Sequence, residues 1–283
     1  SYNTFNFHDI AFQLPLARRL GLGFSLTPYS SVGYRVSADE QSDDVWGNIG
    51  RVQYLYAGEG DLTEVKLGIG WEVVKRVSIG VAAQYYWGDI ERTYQTVVSN
   101  NIVNGGSVNT VTGTDSYGIS RIKMQLGLQA DLIQSERQVL TLGATYDMGG
   151  NLRPSVNQTV VNGDIYGTVV RGDTTRMALK LPVQLGVGLY YQNAKIAAGV
   201  DYIYQNWENN ESPKSVPGAV NVAYKNTNTV KLGFEYTPNR MDIRNYLKRW
   251  SYRVGFRYGT YYQTFEGKTL SQYAVTAGFG MPV

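Results

Sequence analysis

A chain of 283 residues with 26 Lys+Arg against 23 Asp+Glu and no Cys has room for one large barrel or two ordinary domains, and its charge gives no nucleic-acid footprint. The missing thiols exclude a disulfide frame, Cys-based zinc sites and a cysteine nucleophile, and suit exposure to an oxidising compartment. With 23 Tyr against 8 Phe and 5 Trp, the aromatic balance favours rings that are apolar at one end and wet at the other, as at a membrane interface.

No run approaches about 18 consecutive apolar residues, so no transmembrane helix is predicted. What recurs instead is a period of two. Ile10, Phe12 and Leu14 alternate with Asp9, Ala11 and Gln13, and Leu22, Phe24 and Leu26 with Gly21, Gly23 and Ser25. Val65, Leu67, Ile69, Trp71 and Val73 form the next apolar set, then Val77, Ile79, Val81, Ala83, Tyr85 and Trp87. The longest alternation covers 121–132, with Ile122, Met124, Leu126, Leu128, Ala130 and Leu132 on one face and Arg121, Lys123, Gln125, Gln129 and Asp131 on the other. Further sets run over 140–146, 177–189, 196–204, 230–236, 252–258 and 273–281. Successive strand side chains point to opposite faces, so this pattern predicts about eleven strands. Apolar segments of about 9–11 residues match a tilted membrane strand, whereas soluble strands average about five or six.

The predicted connections alternate between short (15–20, 74–76, 133–138, 191–195, with a longer 238–249) and long (29–62, 88–120, 147–175, 206–228, 261–270). Short turns at one end and long polar loops at the other are the layout of an outer-membrane barrel. The predicted fold is therefore all-β, a transmembrane antiparallel up-and-down β-barrel of outer-membrane type, in one domain over 1–283. Tyr85, Trp87, Tyr202 and Tyr204 at the loop end, and Trp250 and Tyr252 at the turn end, are the expected aromatic girdles, with Tyr86 and Trp207 beside them. An odd strand number does not close an all-antiparallel barrel, so the pattern predicts further strands at both ends.

The lumen-lining candidates are the charged residues of the polar phase: Lys66, Glu72, Arg121, Lys123, Asp131, Lys180, Asp201, Lys231, Glu235, Arg253 and Arg257. Both signs occur, which fits a watered channel or a ladder of ion pairs that stiffens a closed barrel. Pro182 donates no ladder hydrogen bond and marks a kink in the wall. The pairs Gly21-x-Gly23, Gly186-x-Gly188 and Gly278-x-Gly280 lie within strands and precede no helix, so they relieve inner-face crowding rather than cradle phosphate. His8, the single histidine, is the one imidazole a hydrolase or metal site would have to use, and a surface role suits it better. Asp43-Asp44 and Glu59-x-Asp61 read as solvated loop carboxylates rather than calcium ligands. No catalytic, cofactor or metal residue is predicted.

Several segments resemble the FadL-type outer-membrane transport family in its Bacteroidetes branch. They are Phe12-Gln13-Leu14-Pro15 through Arg19-Leu20-Gly21-Leu22-Gly23, Thr27-Pro28-Tyr29-Ser30-Ser31-Val32-Gly33-Tyr34, and Tyr85-Tyr86-Trp87-Gly88-Asp89-Ile90-Glu91-Arg92. Leu181-Pro182, Lys231-Leu232-Gly233-Phe234-Glu235-Tyr236-Thr237-Pro238, Tyr252-Arg253-Val254-Gly255-Phe256 and Thr276-Ala277-Gly278-Phe279-Gly280-Met281-Pro282 read the same way. The resemblance implies a fourteen-stranded barrel, an N-terminal hatch inside it, and passage of hydrophobic compounds through a side opening. It departs from the family in the hatch and the closing strands, which are expected outside these residues; no transport residue is carried over. Two functions follow as expectations: passive passage of fatty-acid-like molecules, or a non-transporting barrel subunit of an outer-membrane secretion or assembly complex. The expected partners are outer-membrane lipid, a hydrophobic ligand and other outer-membrane proteins.

Overall fold

The computed structural model describes residues 9–48, 50–99, 108–152, 155–162, 168–171, 175–176, 180–208, 222–242, 244–265 and 267–281. Its wall consists of β1 (Ile10–Ala17), β2 (Leu20–Asp39), β3 (Arg51–Val74), β4 (Val77–Ser99), β5 (Val108–Gln134) and β6 (Gln138–Asp147). After a long excursion come β7 (Val183–Asn193), β8 (Ile196–Asn206), β9 (Thr227–Tyr236), β10 (Ser251–Phe265) and β11 (Lys268–Gly280). Each pairs antiparallel with the next, from β1 to β11, in one curled sheet.

The register carries the apolar phase from strand to strand. Phe12 faces Phe24, Phe24 faces Leu67, Leu67 faces Ala83 and Ala83 faces Met124. Leu126, Tyr146, Leu185 and Tyr204 continue the outer face across β5 to β8. Most of these side chains are exposed, Phe24 and Tyr204 being half-buried, and on the same phase Ile122 is 69% and Val275 72% exposed. A one-residue slip would move this whole set to the concave face, so the lipid boundary fixes the register.

The concave face is thin along its midline. Gly21 faces Gly70, Gly70 faces Gly80, Gly80 faces Gly127, and Thr145 stands between Gly127 and Gly186. Gly70, Gly80, Gly127, Gly143, Gly186 and Gly188 line a cavity of ≈ 490 Å³. Absent side chains let the sheet curve here without crowding its inside.

Among the described residues, the segments expected as long loops at 29–62 and 88–120 are largely strand. β2 to β5 hold 20, 24, 23 and 27 residues, whereas β6 to β9 hold 10, 11, 11 and 10. The added height lies beyond the lipid band, so no outward apolar phase announces it, although the residues of 92–99 read as extended. Ser155–Asn162 pairs with the upper part of β5, and Thr168–Arg171 pairs with Ser155–Asn162. Between β2 and β3, α1 (Asp43–Asn48) is held by the Trp46 indole, which donates to the Glu40 carbonyl at 2.7 Å. Gly60 and Gly88 have φ of 134° and 149°, and a Cβ at either would collide with the backbone carbonyl of Asp89 or Asp61. This glycine pair lets β3 and β4 bend where they leave the membrane band.

Candidate functional site

On the concave face, just loop-side of the glycine midline, a row of polar side chains shares one phase. Gln125 faces Asp147, Asp147 faces Gln184, Gln184 faces Gln205 and Gln205 faces Thr227. Their hydrogen bonds run on without a break. Asp147 Oδ1 accepts from Gln125 Nε2 at 2.7 Å and from Gln84 Nε2 at 3.2 Å, and Oδ2 accepts from Gln184 Nε2 at 3.1 Å. Gln205 Nε2 donates to Gln184 Oε1 at 2.7 Å; Thr227 Oγ1 and Trp207 Nε1 each donate to Gln205 Oε1 at 3.0 Å. The lattice thus braces β4 through β9. Trp207 carries it to β10 by stacking on Tyr262, with centroids 4.3 Å apart. Gln84, Asp147 and Thr227 are buried, so each missing bond here would cost about 1–3 kcal/mol.

Against the lattice is a polar cavity of ≈ 190 Å³ lined by Tyr29, Glu64, Lys66, Gln84, Tyr86 and Lys123, by the lattice's own Gln125, Asp147, Gln184 and Gln205, and by Pro182. Lys66, Gln84 and Lys123 are register neighbours on β3, β4 and β5. Tyr86 is 2% exposed, meets Tyr29 edge-on at 4.8 Å and has the Lys123 ammonium 5.6 Å from its ring centroid. Gln84 Oε1 is buried with no hydrogen-bond partner.

A strap covers the loop side of this cavity. Gly150–Asn151 pairs antiparallel with Lys180–Leu181, away from the wall sheet. Leu152 and Leu181 cluster with Leu62 and Ile119, and Ile90 packs against them. Arg121 Nε donates to the Leu152 carbonyl at 3.0 Å and ties the strap to β5. Apolar inward residues at Leu62 and Ile119 break the polar phase here because they receive the strap, not water.

The charged lumen candidates separate into groups. Lys66 and Lys123 line the cavity, with Arg121 next to it. Asp201, Lys231 and Arg257 stand abreast on β8, β9 and β10 and are exposed. At the turn end, Arg253 Nε meets Glu235 Oε2 at 2.7 Å with Arg240 3.6 Å from Glu235, and Glu72 lies 3.8 Å from Arg19. Asp131 accepts from Thr141 Oγ1 at 2.7 Å. Lys180 is not on the wall: it pairs with Asn151 in the strap, because the chain folds inward before β7 begins. Pro182 likewise lies outside any strand, at the junction of strap and β7, where a missing N–H costs no ladder bond.

Of the aromatic candidates, Tyr85 and Trp87 stack at 5.5 Å, Tyr202 donates to Asn228 Oδ1 at 2.6 Å, and Tyr204 faces Leu185 on the outer phase. Trp250 and Tyr252 meet Phe279 at 6.3 and 5.9 Å near the turns. Tyr86 and Trp207 are on the opposite phase, inside. His8 lies outside the described residues. Among the described residues no three His, Asp or Glu converge as a metal site would require.

Missing from the charged candidates were Asp147, Glu64, Gln84, Gln205, Thr227, Tyr29 and Tyr86. The available signal was that inner-phase Gln recurs near the loop end of successive strands. Charge alone does not single out the amides, which carry none.

No curated protein sequence matches the chain. A solved structure, that of the CymD monoaromatic hydrocarbon channel, superposes with a TM-score of 0.58 over 97% of this chain and 73% of that chain, at 12% identity. At that identity the likeness shows the fold, a barrel of the outer membrane. The FadL-type resemblance holds at this same coarser level. The BamG family profile covers residues 1–283, so the chain, an outer-membrane β-barrel protein, belongs to the BamG family.

Proposed function

We propose that this barrel is a non-enzymatic, non-transporting subunit of an outer-membrane protein assembly or secretion complex. The observation that carries the reading is the Asp147 lattice, which braces β4 to β9 across the concave face with amides and a carboxylate. A route for hydrophobic molecules asks for apolar and aromatic lining. Here the concave wall offers mainly glycine backbone, amides and charges, and its inward apolar residues Leu62 and Ile119 are covered by the strap. A stiff, cross-braced wall suits a fixed scaffold. Membership of the BamG family supports partnership with outer-membrane assembly proteins.

A second reading, passive passage of hydrophobic small molecules, is favoured by the likeness to a hydrocarbon channel and by the glycine-lined cavity. Gentle detergent extraction of tagged protein at native levels, followed by mass spectrometry, tests the first. Stoichiometric recovery of other outer-membrane assembly proteins is expected, with no saturable binding of a long-chain fatty acid to delipidated protein. Saturable fatty-acid binding by a protein that purifies alone would overturn it in favour of passage.

A further inference from the structure

We infer that the polar cavity against the Asp147 lattice, on the concave face over β3 to β5, is a binding site for a small zwitterion that carries a primary ammonium close to an oxyanion. The inference is independent of whether the barrel scaffolds or transports.

Three observations converge. The first is charge arrangement. Lys66 and Lys123 line one cavity with Glu64 and Asp147, two cations and two carboxylates, none of them joined by an ion pair within 4.0 Å. A purely anionic ligand would meet the carboxylates, and a purely cationic one the ammonium groups. A molecule with both signs satisfies each in turn. The second is the orphan acceptor. Gln84 is 4% exposed and its Oε1 has no partner, while its Nε2 is already committed to Asp147 at 3.2 Å. Since Asp147 accepts from three amides, the lattice holds the Gln84 amide in this orientation, with the oxygen left over. What is missing is an N–H or O–H donor, the complement of an ammonium.

The third is placement. Lys66 and Lys123 flank Gln84 on either side in register. Strands are spaced about 4.8 Å apart, so the two lysine stems stand about 10 Å apart with the amide midway. An oxyanion reached by both flexible ammonium groups leaves an ammonium, about two to four bonds from its carboxylate carbon or phosphorus, over the Gln84 oxygen. Tyr86, buried beneath Lys123 with Tyr29 against it, keeps that stem in place. The ≈ 190 Å³ cavity admits a headgroup-sized molecule and not an acyl chain. Two sources supply this chemistry, the phosphoethanolamine headgroup of a lipid and a free amino acid.

Calorimetric titration of the purified, detergent-solubilised protein with phosphoethanolamine, phosphocholine, glycine and inorganic phosphate distinguishes them. Saturable binding of phosphoethanolamine is expected, with phosphocholine at least tenfold weaker because its quaternary nitrogen has no hydrogen to donate. Gln84→Met should abolish that discrimination, and Lys66→Met with Lys123→Met should abolish binding, while each variant keeps the heat-modifiable gel shift of a folded barrel. Glycine binding with the same dependence on Gln84 and the two lysines supports the shared chemistry and assigns the source to amino acids. Equal affinity for phosphocholine, binding by inorganic phosphate alone, or no binding by either zwitterion to wild-type protein would overturn the site.

Discussion

Gln84 of β4 reaches past the whole of β5 to give its side-chain amide hydrogen to Asp147, at the last position of β6, at 3.2 Å. The two residues are 63 apart in sequence, and only the curl of the wall makes them neighbours. Three amides converge on this one carboxylate, so its removal strands several buried donors at once. Asp147→Leu should lower the unfolding free energy by about 3 kcal/mol. Urea unfolding in lipid vesicles measures it, and a loss below about 1 kcal/mol would mean the lattice is slack.

The lipid face is tested by paired substitutions on adjacent positions of β5. Leu128→Arg puts a charge on the outer phase and should cost about 2–4 kcal/mol, whereas Gln129→Arg on the inner phase should cost under about 1 kcal/mol. Equal costs in the same vesicle unfolding assay would refute the assignment of faces.

The strap is held by Leu152 and Leu181 against Leu62 and Ile119. Leu152→Ser should loosen it and open the cavity beneath. Because the chain contains no cysteine, Lys123→Cys offers a single label site. Its reaction with a hydrophilic maleimide is expected to quicken at least fivefold when Leu152→Ser is added. An unchanged rate would show that the strap does not shield the cavity.

Near the turns, backbone N–H groups of Asn245 and Arg244, together with Lys248 at 3.8 Å, hold the Asp242 carboxyl below its ordinary pKa. A depressed pKa in the folded state means that this brace is fully present above the ordinary carboxylate value. It is lost as pH falls through the lowered one. Amide exchange at Arg244 and Asn245 should therefore accelerate on acidification from about pH 5 to about pH 2, beyond the intrinsic trend. Asp242→Asn should remove the pH step; persistence of the step in that variant would place its origin elsewhere.

How much of this was legible depended on which solvent each side chain meets. Strands such as β5 announce themselves over 121–132 because one phase faces lipid and the other does not. The upper part of β4, Thr93-Tyr94-Gln95-Thr96-Val97-Val98, reads as extended but, lying beyond the lipid band and half-buried throughout, carries no such contrast. The strap is equally silent, since Leu152 and Leu181 stand singly among polar neighbours. Lys66 and Lys123 could be placed on the inner phase by counting. That they share a cavity with Glu64 and the Gln84 oxygen depends on the register between β3, β4 and β5, which alternation alone does not give. Lys180 and Pro182 were assigned to the wall by extending the alternation of β7 backwards past the point where the chain turns inward.

The unequal strand lengths have a consequence for anything that comes from outside the cell. At about 3.3 Å per residue, β5 runs about 90 Å and β6 about 33 Å. Tilted by about 40°, β6 spans little more than the apolar band, while β5 rises some tens of ångströms beyond it. Among the described strands the wall is a cliff along β2 to β5 and a low sill along β6 to β9. Among these strands, a large visitor therefore meets a lower wall along β6 to β9 than along β2 to β5, which makes the approach to the concave face unequal from side to side.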